Sequence, residues 1–390
     1  MKFRIITLVF SLCALAALTT SVWLSAQEEQ DQHSYSYGPK LIEFDAPDAA
    51  KVSSPVCAPS CGTFAYANND LGEIVGYYTD TNVVPHGFLR TAEGHIISFD
   101  APGAGLGADL DEGTVAYSIN DLGVIAGEFQ DASNVFHGFV RFRNGSFATF
   151  EALDAGTGEY QGTLAWDINL EGATAGVYDD ESGVAHGFVR SPHGKITPFD
   201  PPGSVSTYPC EETCLNSEGA ITGSYYDAGN TGHGFVREPD GEITTFDAPG
   251  AGTGNYLGTT PASINQEGTI TGYSMDANSV IHGFVRTRDG QFTTFNVSTA
   301  GTEPNQGTAG FSINLLGTVA GVFVDADNVM HGFSRSPRGT FATFEAPDAG
   351  TVATQPFTEG TRPSTNNLQG AVTGWYIDAD GLNHGFVWNP

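Results

Sequence analysis

An all-β fold, a seven-bladed β-propeller of four-stranded antiparallel blades, is predicted by three observations. The tripeptide His-Gly-Phe begins at residues 86, 137, 186, 233, 282, 331 and 384, in steps of 47 to 53 residues. Between these points the chain alternates short strand-like runs with Gly- and Asn-bearing turns and shows no helical periodicity. The two ends of the repeat are complementary, because "PKLIEFDAP" reads as a fourth strand without its first three and "HGFVWNP" as a third strand without its fourth. A four-stranded unit recurring at about 40–50 residues is the signature of a propeller blade. The N-terminal strand is therefore expected to complete the last blade, which removes exposed edges at the seam.

The fifth unit illustrates each element. "TPASIN" is the first strand, "TITGYSM" the second, "IHGFVR" the third and "QFTTF" the fourth. "QEG", "DANSV" and "RDG" turn the chain between them, and Gly, Asn and Asp serve there because they tolerate turn conformations. Along the second strand, the residue two after the turn glycine is Ile74, Ile125, Thr174, Ile221, Ile270, Val319 or Val372. The residue four after it is always Gly, and the residue six after it is Tyr or Phe in six of seven units. One face is apolar at period two and the other is often small or apolar, as stacked blades require.

Residues 1–26 lie outside the repeat. Lys2 and Arg4 precede an apolar run from Ile5 to Leu24, and Ser25 and Ala26 precede a polar acidic stretch. This reads as a signal peptide cleaved after Ala26. Residues 27–40 form a short polar linker, and residues 41–390 form the propeller. Beyond residue 26 the chain holds 45 acidic and 13 basic side chains. Such a balance argues against nucleic acid as a partner and against anionic membrane surfaces. Four of the five cysteines form Cys-x3-Cys pairs, Cys57/Cys61 and Cys210/Cys214, which an oxidising compartment would close as local disulfides. A secreted, extracellular or periplasmic location follows from both features.

The repeat, with its "IN-x-x-G" segments followed by His-Gly-Phe, resembles the extracellular HAF-repeat family over about residues 41–390. That family is named for a His-Ala-Phe tripeptide, and here Gly stands in place of Ala. The resemblance implies export and a repeated fold, and no defined reaction.

Several columns invite chemical readings. An Asp precedes each His by six residues (Asp80, Asp131, Asp180, Asp227, Asp276, Asp325 and Asp378). An acidic residue follows the closing Phe in six units (Asp45, Asp100, Glu151, Asp200, Asp247 and Glu345), with Asn296 in the other. These groups are expected on one face as local polar staples. Seven copies suit a structural role, since a catalytic site needs each group once. "DADG" at 378–381 and "DADN" at 325–328 resemble the start of a Ca2+ loop but lack its later acidic ligand. The column Arg90, Arg141, Arg190, Arg237, Arg286 and Arg335, replaced by Trp388 in the last unit, is expected to pair across the hairpin or remain solvated. Tyr160, Tyr208, Tyr256 and Phe357 fall in the variable connections, where recognition usually resides. Asp167 stands in a column otherwise filled by Ala67, Ser118, Cys214, Ser263, Ser312 and Thr365, which places it on the innermost strand facing the channel.

No Ser-His-Asp order, Gly-x-Ser-x-Gly, His-Glu-x-x-His or phosphate loop occurs. No catalytic residue, cofactor-binding residue or metal ligand is assigned from sequence, and no cofactor is expected beyond the Ca2+ question. The preferred reading is a monomer binding an extracellular protein or glycan through loops on one face, and it weighs against an enzyme. The competing readings are a carbohydrate-active or other hydrolytic enzyme with carboxylates near the channel, and a scaffold without a small ligand.

Overall fold

The computed structural model describes residues 39–52, 61–107, 112–209, 212–353 and 355–390. The expected signal segment and most of the linker lie outside the described residues, as do Cys57 and Cys210. The fold is all-β, built from repeated four-stranded sheets that resemble propeller blades. The first unit comprises Thr63–Asn68, Ile74–Thr79, Pro85–Arg90 and Ile96–Phe99, joined as an antiparallel meander. In the fifth unit the strands are Gly258–Ile264, Ile270–Met275, Ile281–Arg286 and Phe292–Phe295, within two residues of the sequence expectation. The final unit takes its fourth strand from the other end of the chain: Lys40–Phe44 pairs antiparallel with Asn383–Asn389, in register from Lys40↔Asn389 to Phe44↔Gly385. Among the described residues no helix is long and apolar enough to cross a membrane.

The repeated tripeptide has a packing reason. The phenylalanines Phe88, Phe139, Phe188, Phe235, Phe284, Phe333 and Phe386 are each fully buried. Burying one such ring contributes roughly 1.5–3 kcal/mol. The preceding glycine lies against the closing Phe of its unit. A Cβ on Gly138 would stand 2.8 Å from the Phe150 ring, and one on Gly187 would stand 2.8 Å from Phe199. An alanine at this position would have to push that ring aside.

Units adhere to their neighbours through the arginine column, which corrects the expectation of hairpin ion pairs or solvation. Arg90 lies over Phe44 of the last unit (4.8 Å), Arg141 over Phe99 (4.6 Å), and Arg286 over Phe246 (4.4 Å). Each guanidinium covers the closing Phe of the preceding unit as a cation–π contact. Trp388 takes the same place in the last unit, stacked on Phe344 at 4.3 Å.

The turn asparagines form a second inter-unit bond. Each Asn side-chain Nδ2 donates to the backbone carbonyl of the next unit's Asn, from Asn69→Asn120 (3.1 Å) through Asn120→Asn169, Asn169→Asn216, Asn216→Asn265 and Asn265→Asn314 to Asn314→Asn367 (2.9 Å). Asn367 then donates to the Asn69 carbonyl at 3.1 Å and closes the circuit. Each Asn Oδ1 also accepts from the backbone N–H four residues on, for example from Val124 at 3.0 Å and Ala371 at 3.0 Å.

Two outcomes are expected. Deleting residues 38–47 leaves the strand Asn383–Asn389 with an open edge, so the melting temperature falls sharply or the protein aggregates; an unchanged melt would refute the closure. Gly138→Ala forces the Phe150 ring aside, and denaturant titration should show a loss of about 1–3 kcal/mol.

Candidate functional site in the channel

The His and Asp columns meet as expected, with the acid after the closing strand as the third member. His186 Nδ1 lies 2.8 Å from Asp200 and its Nε2 3.5 Å from Asp180. His384 lies 3.0 Å from Asp45 and 3.3 Å from Asp378. His137 bonds Glu151 and Asp131, and His331 bonds Glu345 and Asp325. Asn296 replaces the acid beside His282 at 3.2 Å. Six of the imidazoles pack on a ring of the preceding strand, as His331 does on Phe323 at 4.7 Å, whereas His282 faces Ser274. The Asp carboxylate caps its own turn, Asp378 Oδ1 accepting from Asp380 and Leu382 at 2.9 and 2.8 Å. The "DADG" and "DADN" carboxylates are used in this way, and among the described residues no group of His, Cys, Asp or Glu could hold a metal ion.

Asp167 lines a cavity of about 450 Å³ at the asparagine-turn end of the channel. It is 3% exposed and acts as a staple between three units. The Ser118 hydroxyl donates to it at 2.7 Å, and the Leu215 and Ile168 N–H groups at 2.9 and 2.8 Å. Burial pushes its carboxyl above the usual range, and these donors oppose the shift.

The stronger concentration of chemistry lies further along the channel and was missed in the sequence. In six units the first strand carries a β-bulge, which turns one side chain out of register: Tyr66, Tyr117, Trp166, Ala262, Phe311 and Ser364. The glycine four residues after each turn glycine lies against the bulge, since a Cβ on Gly127 would meet the Val115 carbonyl and the Phe139 ring. Bulges re-aim side chains in this way near sites. Tyr66 packs against Tyr117 at 5.1 Å and Trp375 at 5.2 Å, and Phe64 stacks on Tyr77 at 4.6 Å.

Three charged groups enter this aromatic lining from separate units. Glu128 accepts from the Tyr117 hydroxyl at 3.0 Å. Glu212, from the fourth unit, reaches the seventh: Ser364 Oγ donates to its Oε2 at 2.6 Å, and Arg362 Nη2 lies 3.5 Å from its Oε1. The Glu212 N–H donates to Ala262 of the fifth unit at 3.3 Å. Arg362 lies over Trp375 (4.3 Å) and Phe311 (4.8 Å). Burial is the main cause that raises the Tyr66 phenol to about 12; Arg362 opposes it, and Glu212 and Glu128 add to it. Tyr117 is held well above its usual value by burial and then by Glu128. Both phenols therefore remain hydrogen-bond donors at neutral pH. The available sequence signal was the column after the second-strand glycine, where Glu128 alone is charged among Tyr77, Val177, Ser224, Tyr273, Val322 and Trp375.

Cys61 and Cys214 are each disulfide-bonded, and Cys214 stands two residues after Glu212. Of the four aromatics expected in the connections, Tyr208 lies instead in the strand Ser206–Pro209, paired with Ser224, and it joins Tyr226 and the loop residue Tyr256 in a cleft of about 510 Å³. Tyr160 and Phe357 are exposed at other connections.

No protein-family model matches the chain, and no curated protein does. Solved structures do match in fold. A streptogramin B lyase aligns with a TM-score of 0.53 at 16% identity, covering 90% of this chain and 97% of that one. A puromycin hydrolase variant aligns at 0.51 and 12% identity, covering 86% of this chain and 56% of that one. A Burkholderia pseudomallei lectin aligns at 0.47 and 8% identity, over 88% and 98% of the two chains. The first two likenesses establish a propeller-like fold and not membership of the HAF-repeat family. They also correct the sequence's leaning against an enzyme: both structures of similar fold, with TM-scores above 0.5, are enzymes, a lyase and a hydrolase.

The histidine staples set a pH profile. His86, His137 and His384 are raised above 6.5 chiefly by the bonded Asp100, Glu151 and Asp45. For His186 and His331 burial is the largest influence and lowers the value, but the paired carboxylates outweigh it. Their contribution is complete below the unfolded value of about 6.5 and is lost as pH rises through the higher folded values. Asp131, Asp276 and Asp325 are lowered: burial, their largest influence, raises them, but turn N–H groups and the imidazole together outweigh it. Their contribution is present above about 3.8 and is lost as pH falls through the lower folded values. Thermal melts are expected to peak between about pH 4 and 6.5 and to decline toward pH 8.5. A profile flat from pH 5.5 to 8.5 would contradict the charged staple.

Proposed function

We propose that residues 41–390 form one closed seven-bladed propeller, exported from the cytoplasm and acting as a monomeric, carbohydrate-active hydrolase. Its reaction centre is the channel pair Glu128 and Glu212. The observation that carries this reading is the convergence of two carboxylates from non-adjacent units onto one aromatic-lined lumen. In the column of Glu128 the other units place uncharged groups, and Glu212 stands in a stretch that only the fourth unit has.

Glycosidic bond hydrolysis needs one carboxyl to protonate the leaving oxygen and one carboxylate to activate water or attack the anomeric carbon. Glu212, held by Arg362 and Ser364, is the ionised member. Glu128, which accepts the Tyr117 hydroxyl and opens on the aromatic lining, is the proton donor. Tyr66 stays protonated and offers its hydroxyl to a substrate oxygen. Binding of a glycan by the loops of the same face becomes the first step of the reaction. Similarity in fold to a lyase and a hydrolase supports this reading over a scaffold without a ligand.

The test is release of reducing ends from soluble β-glucan, xylan, mannan and starch. The native chain should cleave one class. Glu212→Gln and Glu128→Gln should each lower the rate by about 10²–10⁴-fold at an unchanged melting temperature, the range expected for losing an acid or base. Full activity in both variants would remove the pair from the mechanism.

A further inference from the structure

A second cavity opens among the third, fourth and fifth units. It is lined by five aromatic residues: Trp166, Tyr208, Tyr226, Tyr256 and Tyr273. Tyr226 bridges two of them edge-to-face, to Tyr208 at 6.1 Å and to Tyr256 at 6.0 Å. Tyr256 is 65% exposed and forms the outer wall. Between the rings stand the short polar side chains Ser206, Ser224, Asn230 and Thr260.

Register ties this cleft to the reaction centre. Tyr208 pairs with Ser224 and Thr260 with Tyr273. The same rung holds the pairs Val115↔Glu128 and Arg362↔Trp375 in other units. Trp166 is the bulge residue of the third unit and occupies the position that Tyr66 and Tyr117 fill in theirs. The cleft is therefore the continuation of the aromatic lumen at the same depth.

Its chemistry is selective. The chain carries 45 acidic and 15 basic residues, but none of the nine side chains lining the cleft is charged. Among the described residues, the lining holds no cation to recognise a carboxylate, sulfate or phosphate and no carboxylate to recognise an amine. Aromatic faces take up C–H surfaces, and hydroxyl and amide groups at their edges bond a ligand's oxygens. A ligand with apolar ring faces and a rim of hydroxyls fits both halves of that lining.

We infer that this cleft is the subsite for a neutral pyranose oligosaccharide, stacked on Tyr256 and Trp166 and leading into the Glu128–Glu212 pair. The inference rests on the hydrolase reading and fixes its substrate class as an uncharged glycan. A cavity of about 510 Å³ holds more than one sugar ring, so the enzyme grips a chain and not a single residue.

The experiment is calorimetric titration of the Glu128→Gln/Glu212→Gln double variant with cellotetraose, xylotetraose, mannotetraose and maltotetraose, with tetragalacturonate and p-nitrophenol as controls. One neutral tetrasaccharide should bind saturably and tetragalacturonate should not. Tyr256→Ala, at an exposed position, should weaken that binding at least fivefold, and Trp166→Ala further, while the melting temperature of the Tyr256 variant stays that of its parent. Binding of tetragalacturonate or p-nitrophenol alone, or binding unaffected by Tyr256→Ala, overturns the inference, as does the absence of any tetrasaccharide binding. The two readings separate cleanly. Tetrasaccharide bound through Tyr256 but left intact by the native chain sinks the hydrolase and keeps the subsite. Cleavage with a KM indifferent to Tyr256→Ala keeps the hydrolase and sinks the subsite.

Discussion

The asparagine circuit is the constraint on which the other features rest. Each member spends its side-chain carbonyl on its own turn and its amide on the next unit, so a single residue type fixes both local geometry and spacing. Buried amides left unpaired cost about 1–3 kcal/mol each, so a unit out of place would orphan a donor on one side and an acceptor on the other. Seven such bonds make the position of each first strand depend on all the others. The channel side chains inherit that fixity.

On this frame, identical and unique positions divide the labour. Repeated columns carry cohesion: the buried Phe, the Arg–Phe contacts, the His–carboxylate staples. Departures from the columns carry chemistry. Glu128, Arg362 and Trp166 each stand where other units place something different, and each points into the lumen. For Trp166 the device is the β-bulge, which lets a residue leave the sheet pattern without moving its neighbours; Glu128 and Arg362 stand at regular rungs beside such bulges. The second-strand glycine is present in all seven units because a Cβ there would strike the backbone of the first strand, bulged or not.

The sequence revealed most of the fold because its signals are periodic. His-Gly-Phe, the turn glycines and the complementary ends gave strand positions to within two residues in the fifth unit. The meeting of Asp, His and the acid after the closing Phe was also legible, since each lies at a predictable end of a strand. The arginines were misjudged because their partner lies in the preceding unit, a contact that no spacing within a unit reveals. Asp167 was placed correctly by its departure from a column, yet its carboxylate bonds three neighbours and belongs to the frame. Glu212 was illegible: the fourth unit's first strand ends early at Pro209, so the segment bearing it falls out of register with every column.

That irregularity has a consequence for how the protein comes into being. Glu212 is anchored by Ser364 and Arg362, which are synthesised some 150 residues after it. A nascent chain bearing the first six units holds this carboxylate without its guanidinium and hydroxyl partners. The proposed reaction centre is assembled only by the seventh unit, which is itself completed by the strand Lys40–Phe44. In the proposed hydrolase, competence is thus deferred until that unit has been made and joined to this early strand.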